Sequence, residues 1–359
     1  MYPLAEGQTY PYNQWWIAAT SAEVGRSLLE RTILERDVLF YRTEAGEPVA
    51  VSARCPHRLF PLVRGRLVGD SIQCGYHGFT FGCDGQCSRI PGQERIPASM
   101  KLHSYPVADH MGWVWIWMGD PDRANRHDLP TPPCLGEPGH EVFISGRQHL
   151  NARYTLLIDN LMDLTHVPYV HAAYVSNEKG ELPDGFDAPV ELSQTKEIAL
   201  RAQRHHRNAH YDGYATLLFG PSTGLMAFDT LSDYHGPALI VTGSVHYLNR
   251  EQVGKHAPDM GDPARGVMRN IHGITPETRF TTHYFGGHIR NFRRADSAFT
   301  ATYHELDRLI RVQDVEVLEA IEPVARTART DHEQSAAQDA GAIRVRRLLA
   351  QQIDADGIA

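Results

Sequence analysis

The sequence predicts an α+β protein in which an all-β N-terminal domain, residues 1–140, precedes an α+β domain, residues 141–359. The chain of 359 residues is longer than one core usually supports. Short alternating runs bounded by turn residues fill its first part, and helical patterns mark both ends of its second part. Hydrophobic residues at 42% and charged residues at 22% are ordinary globular values, so disorder is not indicated.

The segment from Trp15 to Trp117 is predicted to form short strands. RTILERDVLFYRTEAGEPVAVSA alternates apolar and polar residues around Glu-Ala-Gly-Glu-Pro, which is typical of a hairpin. GWVWIWMGDP ends this part with alternating large residues and a Gly-Asp-Pro stop. The stretch DLPTPPCLGEPGHE has no apolar period and predicts the domain border near residue 140.

The second part combines helical and strand patterns. YTLLIDNLMDLTHVPYVHAAYV has apolar residues at helical spacing, and Pro168 predicts a kink or break in that helix. ALIVTGSVHYL and RFTTHYFGGHI are strand-like. From about Ser297 to Gln351 the pattern is helical again, with Pro323 separating two predicted helices.

Charge and hydropathy exclude two classes of partner. A net charge of -8 argues against nucleic acid, whose binding needs clustered Lys and Arg. No window reaches the ~18 apolar residues of a membrane span, and the first residues lack the basic and apolar regions of a signal peptide. We therefore expect a cytoplasmic protein with no membrane or nucleic-acid partner. In such a compartment, five cysteines favour metal or redox chemistry over disulfides.

The first metal-ligand pattern lies in CPHRLFPLVRGRLVGDSIQCGYHG. Cys55 and His57 form one cluster, and Cys74 and His77 form a second one sixteen residues later. A structural zinc site is one interpretation, but zinc fingers usually pair cysteine with cysteine and histidine with histidine. One thiolate and one imidazole per loop suit a Rieske [2Fe–2S] centre, in which both thiolates bind one iron and both imidazoles the other.

The other three cysteines are predicted to be structural. Cys83 and Cys87 flank Asp-Gly-Gln, which is typical of a hairpin turn, and Cys134 in the proline-rich linker is predicted to be a free thiol.

The second pattern lies in DNLMDLTHVPYVH. Asp163 and His166 are three residues apart and are expected on one face of a helix, while His171 follows across Pro168. Two imidazoles and a carboxylate form the facial triad of non-haem Fe(II) oxygenases, which leaves positions open for oxygen. Among 20 histidines such a pair alone is weak evidence, and the first pattern in the same chain strengthens it.

Together these motifs resemble the Rieske non-haem iron oxygenases. Cys-x-His, sixteen residues, Cys-x-x-His and Gly78 are similar to their Rieske motif, although Gly75 stands where these proteins commonly have proline. IDNLMDLTHVPYVH and HGITPET resemble the branch that includes vanillate O-demethylase and dicamba monooxygenase. The resemblance covers nearly the whole chain. It implies an all-β Rieske domain and a catalytic domain of the helix-grip type, in which an antiparallel sheet wraps around helices.

The resemblance implies one [2Fe–2S] cluster and one mononuclear Fe(II) per chain. The matching cluster ligands are Cys55, His57, Cys74 and His77, and the matching iron histidines are His166 and His171. The third iron ligand is then an aspartate on a C-terminal helix. Asp314 fits best because its neighbours, such as Leu318, would face the core; Asp307, as a solvated helix-face residue, is the alternative.

Three further residues match functional positions. Asp163 matches a carboxylate that is not a ligand but bridges the iron histidine to a cluster histidine of the neighbouring subunit. Asn160, one helical turn earlier, is expected either to touch the iron's water or the substrate, or to lie behind the ligands. His272 resembles a substrate-contacting position, with a histidine packed at a strand end as the alternative.

The implied activity is that of the oxygenase component of a multicomponent monooxygenase that O-demethylates a methoxylated aromatic acid. Ring hydroxylation, N-demethylation and methyl hydroxylation are the alternatives; an electron carrier is disfavoured because it needs no second triad. No GxGxxG motif follows a strand. Electrons from NAD(P)H are therefore expected through a separate flavin and [2Fe–2S] reductase, with or without a ferredoxin. The relatives form rings of three, which implies a homotrimer.

Overall fold

The computed structural model describes residues 10–175, 190–210, 213–220, 225–248, 265–327 and 333–356. Up to residue 140 its regular structure is made of eleven strands and short 3-10 turns. The strands are β1 (Trp15–Thr20), β2 (Leu29–Ile33), β3 (Arg36–Arg42), β4 (Pro48–Ser52), β5 (Arg66–Val68), β6 (Ser71–Gln73), β7 (Thr80–Phe81), β8 (Cys87–Arg89), β9 (Ser104–Tyr105), β10 (Val107–His110) and β11 (Trp113–Trp117).

These strands form three small antiparallel sheets, with orders β1-β11-β10, β2-β3-β4-β9 and β5-β6-β7-β8. The hairpin predicted around Glu-Ala-Gly-Glu-Pro is confirmed as the β3–β4 connection. The predicted turn between Cys83 and Cys87 joins β7 to β8. The all-β prediction for this part of the chain is therefore confirmed.

The second part contains a seven-stranded antiparallel sheet and six α-helices among the described residues. The strand order is β12-β18-β17-β16-β15-β14-β13. The strands are β12 (Glu141–Leu150), β13 (Glu191–Ser193), β14 (Leu200–His210), β15 (Leu225–Gly236), β16 (Leu239–Tyr247), β17 (Arg265–Thr278) and β18 (Thr281–Arg290). The helices are α1 (Tyr154–Met162), α2 (Val167–Val170), α3 (Ala172–Val175), α4 (Gly213–Phe219), α5 (Ser297–Thr327) and α6 (Ala340–Asp356). In the described ranges, none of them is long and apolar enough to cross a membrane.

The predicted helix from residue 154 to 175 breaks at Asp163 and not at Pro168. The Asp163 carboxylate accepts hydrogen bonds from the backbone N–H and the hydroxyl of Thr165, at 3.0 and 2.8 Å. This cap starts a 3-10 turn, Leu164–His166, in a new direction. Pro168 lies in the first turn of α2, where its missing N–H leaves no helical bond unmade. Asp163 and His166 therefore do not share a helix face, contrary to the prediction.

Pro323 also does not end its helix, because α5 continues through it to Thr327. The proline removes only the bond to the carbonyl of Glu319. An ion pair between Glu322 and Arg326, at 3.0 Å and spaced i,i+4, spans the proline and supports the last turn. The second predicted C-terminal helix begins at Ala340.

The largest hydrophobic core crosses the predicted border between the two parts. Trp16 of β1 and Trp115 of β11 belong to the same buried cluster as Ile274 of β17, Phe285 of β18 and Leu157 of α1. Strands β1 and β11 are buried along their whole length, so both of their faces need apolar cover. The two parts of the chain therefore share one hydrophobic core, and the border at residue 140 stays a prediction.

A smaller, separate core supports the loops between β4 and β8. It includes Val51, Leu62, Ile72 and Phe81.

A buried ion pair fixes α1 against α5. The Glu322 carboxylate is fully buried and accepts from the Arg153 guanidinium, at 2.7 and 2.9 Å, and from the Arg153 backbone N–H at 3.0 Å. Arg153 directly precedes α1. The backbone N–H of Asn151 also donates to Glu319, at 2.7 Å. The C-terminal half of α5 thus anchors the start of the helix that carries Asn160.

We expect Glu322→Gln to lower the free energy of unfolding by about 3 kcal/mol, because it leaves the Arg153 guanidinium half-buried without its counter-charge. Urea denaturation followed by circular dichroism measures the change. Glu305→Gln is the matched control, since Glu305 pairs with Arg308 on the exposed face of the same helix. Equal losses in both variants would contradict the assigned importance of the buried pair.

The same pair predicts a pH dependence. Burial alone would raise the pKa of Glu322, but hydrogen bonds from Arg153 and Arg326 hold it below its ordinary value. The pair therefore contributes fully above about pH 4.3, the ordinary glutamate value, and its contribution is lost as the pH falls below that. Glu322→Gln should lose less stability than the wild type between pH 5 and about pH 3. Parallel stability curves for the two proteins in this range would refute the prediction.

Candidate metal centres

Two loops of equivalent geometry carry the first ligand pattern. The backbone N–H of Cys55 donates to the carbonyl of Phe60, and that of Cys74 donates to the carbonyl of Phe79, five residues on in each case. The fourth residue after each cysteine has a left-handed backbone: Leu59 with φ 55° and Gly78 with φ 72°. The Cys-x-His and Cys-x-x-His segments therefore form matching turns despite their different spacing.

The structure places the two cysteines inside and the two histidines at the surface. Cys55 and Cys74 are 2% and 3% exposed, whereas His77 is exposed and its ring centroid lies 4.7 Å from that of His57. Burial raises the pKa of the Cys55 thiol to about 11. The thiolate form would therefore need a bound cation at this position. A thiol pair below an imidazole pair is the donor arrangement of a Rieske cluster.

This arrangement disfavours a single zinc ion. The ligand atoms of these four residues do not converge on one point. Among the described residues, the group of at least three His, Cys, Asp or Glu side chains whose ligand atoms all lie within 4.8 Å of one another is a different one. Zinc requires such a convergent set, whereas a two-iron cluster takes its ligands as two separated pairs. None of the five cysteines forms a disulfide bond, which agrees with the free thiol predicted for Cys134. Cys83 packs against the smaller core and accepts a hydrogen bond from the Tyr41 hydroxyl at 3.5 Å, which agrees with its predicted structural role.

Close packing of the backbone explains why position 75 is a glycine. A Cβ atom on Gly75 would lie 2.7 Å from the carbonyl oxygen of Arg64 and 3.4 Å from the ring of Phe60. The two ligand loops therefore approach more closely here than a side chain permits, which explains the departure from proline.

The group of three that converges is His166, His171 and Asp314. Oδ1 of Asp314 lies 3.4 Å from Nε2 of His166 and 3.2 Å from Nε2 of His171. Neighbouring ligands of one metal at bond lengths of about 2.1 Å lie about 3 Å apart, so the spacing fits a shared ion. Two imidazoles and one carboxylate on one side of a metal form a facial triad. The residues fit a mononuclear iron.

Both imidazoles are held with Nε2 toward Asp314. Nδ1 of His166 donates to the backbone carbonyl of Asp163 at 2.7 Å, and Nδ1 of His171 donates to the side-chain carbonyl of Gln313 at 2.9 Å. Such contacts set the tautomer and leave Nε2 as the free ligand atom. Sequence reasoning missed Gln313; its position next to Asp314 in a helix was the available signal.

Asp314 is a buried carboxylate with a depressed pKa. It is 4% exposed, and burial alone would raise its pKa. Hydrogen bonds with His166 and His171 instead hold the pKa of Asp314 well below its usual range. The amide of Asn160 also donates to Oδ1 of Asp314, at 3.0 Å. Asn160 thus lies behind a ligand, which is one of its two predicted positions.

Asp307 is not the solvated residue that the sequence suggested. It is 7% exposed, lies 2.9 Å from the Arg311 guanidinium and accepts from the hydroxyl of Ser145 at 2.5 Å. It is one of the acids that line the cavity described below, but it is not in the convergent group. Of the two candidate aspartates, Asp314 is the one that meets both histidines.

Asp163 meets His166 through its backbone and not through its carboxylate. The carboxylate instead caps the turn at Thr165, as described above. A bridge from the Asp163 side chain to a second subunit stays a prediction.

A cavity of about 200 Å³ opens beside the triad. His272 lines it from the middle of β17, paired with Ile240 of β16, so the alternative of a strand-end position is wrong. Its ring nitrogens lie 2.7 Å from the hydroxyls of Thr242 and Tyr284. Burial lowers the pKa of His272 to about 4, so the imidazole is neutral at neutral pH. The other described strand residues that line the cavity, which sequence reasoning missed, are Arg204, His206, Phe228, Thr230, Thr242, Gly243, Ser244, His246 and Asn270.

Comparison with known proteins identifies both parts of the chain. Residues 14–106 match the family model of the Rieske [2Fe–2S] domain, and residues 150–355 match that of the vanillate O-demethylase oxygenase C-terminal domain. The chain is 32% identical over 352 residues to an iron–sulfur subunit of the toluene-4-sulfonate monooxygenase system of Comamonas testosteroni, covering 94% of this chain and 95% of that protein. It is 33% identical over 319 residues to the oxygenase component of dicamba O-demethylase of Stenotrophomonas maltophilia, covering 88% of each.

A solved structure agrees. Dicamba monooxygenase bound to 3,6-dichlorosalicylic acid superimposes with a TM-score of 0.84 at 29% identity, covering 97% of this chain and 99% of that one. The predicted family and fold class are confirmed. The chain belongs to the Rieske non-haem iron oxygenases, with a Rieske [2Fe–2S] domain followed by a catalytic domain of the vanillate O-demethylase type.

Proposed function

We propose that this protein O-demethylates a methoxylated aromatic acid as the oxygenase component of a multicomponent monooxygenase. An aryl methyl ether, O₂, two electrons and two protons would give a phenol, formaldehyde and water. The observation that carries the proposal is the convergence of His166, His171 and Asp314 on the wall of an aromatic-lined cavity, in a chain that also has a Rieske domain.

We assign the metal ligands to the residues that the two patterns provide. Cys55, His57, Cys74 and His77 hold the [2Fe–2S] cluster, and His166, His171 and Asp314 hold the mononuclear iron(II). When bound, this iron supplies the activation of O₂ that inserts one oxygen atom into a methyl C–H bond. The resulting hemiacetal breaks down to the phenol and formaldehyde.

The chain's own residues would bind and orient the substrate. Phe228 and the neighbouring imidazoles offer flat surfaces for an aromatic ring. We assign a substrate contact to His272, whose neutral ring lines the cavity and is held in place by two hydroxyl groups. Asn160 positions Asp314 by a hydrogen bond and supports catalysis through that ligand.

Related proteins support an aromatic acid as the substrate. The names of the relatives include toluene-4-sulfonate and dicamba, and one superimposed structure holds 3,6-dichlorosalicylic acid. N-dealkylation is the second candidate, because a chloroacetanilide N-alkylformylase oxygenase component of Rhizorhabdus wittichii is 31% identical over 96% of this chain.

The multicomponent relatives support a separate reductase as electron donor, and we propose one with flavin and [2Fe–2S] groups, with or without a ferredoxin. We also propose a homotrimer in which Asp163 links His166 to His77 of the neighbouring subunit. Exposed apolar side chains lie near both ends of that link and support a subunit contact: Leu59 and Tyr76 in the two cluster loops, and Tyr169 between the iron histidines in sequence, at 71%, 58% and 74% exposure. The cytoplasmic location stays a prediction.

Metal analysis tests the ligand assignment. The protein purified without oxygen should hold about three irons and two acid-labile sulfides per chain. His166→Ala should lose one iron and keep the visible spectrum of the cluster, because it removes a ligand of the mononuclear site alone. His127→Ala, at an exposed histidine, is the control. Zinc in place of iron, or no iron lost from His166→Ala, would refute one of the two assignments.

Product analysis tests the reaction. With a reductase and a panel of methoxybenzoates, we expect one formaldehyde and one phenol per turnover, measured by derivatisation and chromatography. Hydroxylated product that retains its methoxy group would contradict O-demethylation and favour ring hydroxylation.

Asp163→Asn should keep both metal centres and lower turnover at least about 100-fold. The neutral amide has no negative charge to accept hydrogen bonds from both His166 and His77 of the neighbouring subunit, so the proposed link between the two centres is weakened. Iron content, the cluster spectrum and single-turnover rates separate this result from a loss of metal. Asp159→Asn is the control, because Asp159 lies four residues earlier, in α1, and its carboxylate pairs with Arg346 of α6. Near-normal turnover of Asp163→Asn would exclude the proposed link.

A further inference from the structure

One face of α5 lines the cavity from the iron site toward the N-terminal end of the helix. Asp314 lies at the iron end of this face, and Ile310 lies one turn before it. Asp307 lies two turns before Asp314, about 10 Å away along the helix axis. An aromatic ring whose methyl group faces the iron would therefore extend past the apolar Ile310 toward the carboxylate of Asp307.

The protein's own donors all meet one oxygen of Asp307. Oδ2 accepts from the Ser145 hydroxyl at 2.5 Å, and from Nε and Nη2 of Arg311 at 3.1 and 2.9 Å. An arginine that pairs with a carboxylate commonly donates to both of its oxygens, one from each arm of the guanidinium fork. Here both arms share Oδ2, so Oδ1 accepts no hydrogen bond from the described part of the chain.

The Arg311 guanidinium is fixed on the Oδ2 side. It is 1% exposed, its Nη1 donates to Gln148 at 3.1 Å, and its Nη2 donates to Ser145 at 3.2 Å. It also packs on the backbone of β18, since a Cβ atom on Gly286 would lie only 2.4 Å from the guanidinium carbon. Arg311 therefore balances the charge of Asp307 without covering Oδ1.

Oδ1 of Asp307 is open to the cavity. The residue is 7% exposed, and the cavity is the space that it lines. Oδ1 is not one of the described side-chain atoms that are fully buried without a partner, so it keeps accessible surface. A ligand that fills the cavity without a donor here would leave a carboxylate oxygen desolvated and unpaired, which is costly. The site therefore favours ligands that bring a hydrogen-bond donor to Oδ1.

The ion pair decides which kind of donor fits. Because Arg311 already balances the charge of Asp307, the site has no need of a positively charged ligand. A hydroxyl group or an aromatic amino group supplies a neutral donor. A carboxylate or sulfonate in the same place would bring a second negative charge beside Asp307 and no donor. The acidic group of the substrate is therefore expected at a different edge of the ring.

We propose that Oδ1 of Asp307 binds a hydroxyl or amino substituent of the aromatic substrate. It thereby selects methoxylated aromatic acids that carry such a donor in addition to the methoxy group. This inference rests on the proposed function and adds to it the residue that holds the ring at the end away from the iron.

The test is ligand binding to the full-length protein with both metal centres loaded and oxygen excluded, so that no turnover occurs. Isothermal titration calorimetry is run with 3-methoxybenzoates that carry an amino, hydroxyl or methyl group at position 4 or 5, and with 2-methoxybenzoates that carry the same groups at position 5. These ligands place the substituent ortho, meta and para to the methoxy group. The methyl members are matched controls, because a methyl group is nearly as large as an amino group and donates no hydrogen bond.

The proteins are wild type, Asp307→Asn and Ser145→Ala. Asp307→Asn replaces the free acceptor by an N–H donor, while its remaining oxygen can still accept from Arg311. Ser145→Ala is the matched control, because it removes a partner of Oδ2 and leaves Oδ1 unchanged. Iron content and the cluster spectrum check that each variant is folded.

We expect the wild type to bind the amino or hydroxyl member at least about tenfold more tightly than the methyl member at one of the three positions. Asp307→Asn should weaken binding of the amino member by about 10- to 100-fold, as for a lost hydrogen bond to a charged group, and change binding of the methyl member less than about threefold. Ser145→Ala should keep the wild-type preference.

A double variant covers the case in which Asp307→Asn does not fold. Asp307→Leu combined with Arg311→Met removes both charges of the buried pair, which is better tolerated than the loss of one charge. The same loss of preference for the amino and hydroxyl members is expected from it. A double variant that still prefers them as the wild type does would overturn the role of Asp307.

Failure of this inference and failure of the proposed function give different results. If the acids bind the wild type with no preference for a donor at any position, or if Asp307→Asn keeps that preference, the role of Asp307 is overturned while the proposed function stands. If none of the acids binds the wild type, the aromatic-acid substrate itself is wrong, and the role of Asp307 falls with it.

Discussion

The burial of the Asp314 carboxylate is the constraint on which the catalytic half of the structure depends. An ionised carboxylate that is 4% exposed needs cations or hydrogen-bond donors on every side. Asn160 and the two imidazoles of His166 and His171 meet that need from two different segments of the chain. A metal ion shared by the imidazoles and the carboxylate satisfies it more fully, because it adds positive charge next to the carboxylate.

The fold meets this constraint by combining a long helix with a broken one. Helix α5 runs for 31 residues and presents Asp314 from its middle. The break after α1 turns the chain at Asp163, so that His166 and His171, in separate short turns, both face that one carboxylate. Glu322 anchors the start of α1 to the end of α5, while the Asn160–Asp314 bond joins the two helices at the site. Two contacts along one helix pair thus fix the register between ligands that are distant in sequence.

The cluster loops follow a different rule, because their ligands are held by local turns. Each cysteine starts a turn closed by its own backbone hydrogen bonds, and the small core that includes Leu62 and Ile72 supports both turns. The thiols lie inside that core and the imidazoles at its surface. A cluster held there would be accessible from the surface through the exposed His77. The cavity, by contrast, is lined in the described part of the chain by residues of four strands, β14 to β17, and of four helices, α1, α2, α4 and α5.

The sequence by itself determined the features that depend on neighbouring residues. Ligand type and spacing in the Cys55 to His77 segment, the histidines after Asp163 and the period of the strands are all local, so they were predictable. Sequence reasoning favoured Asp314 over Asp307, but periodicity alone does not separate the two, because both lie with Arg311 and Leu318 on one buried face of α5. Only the tertiary structure decided which aspartate meets the histidines, that Gln313 orients one of them, that Arg204 enters the cavity, and that β1 and β11 share the second sheet's core. Each of these depends on side chains brought together from distant segments, whose contacts are set by packing and not by local sequence pattern.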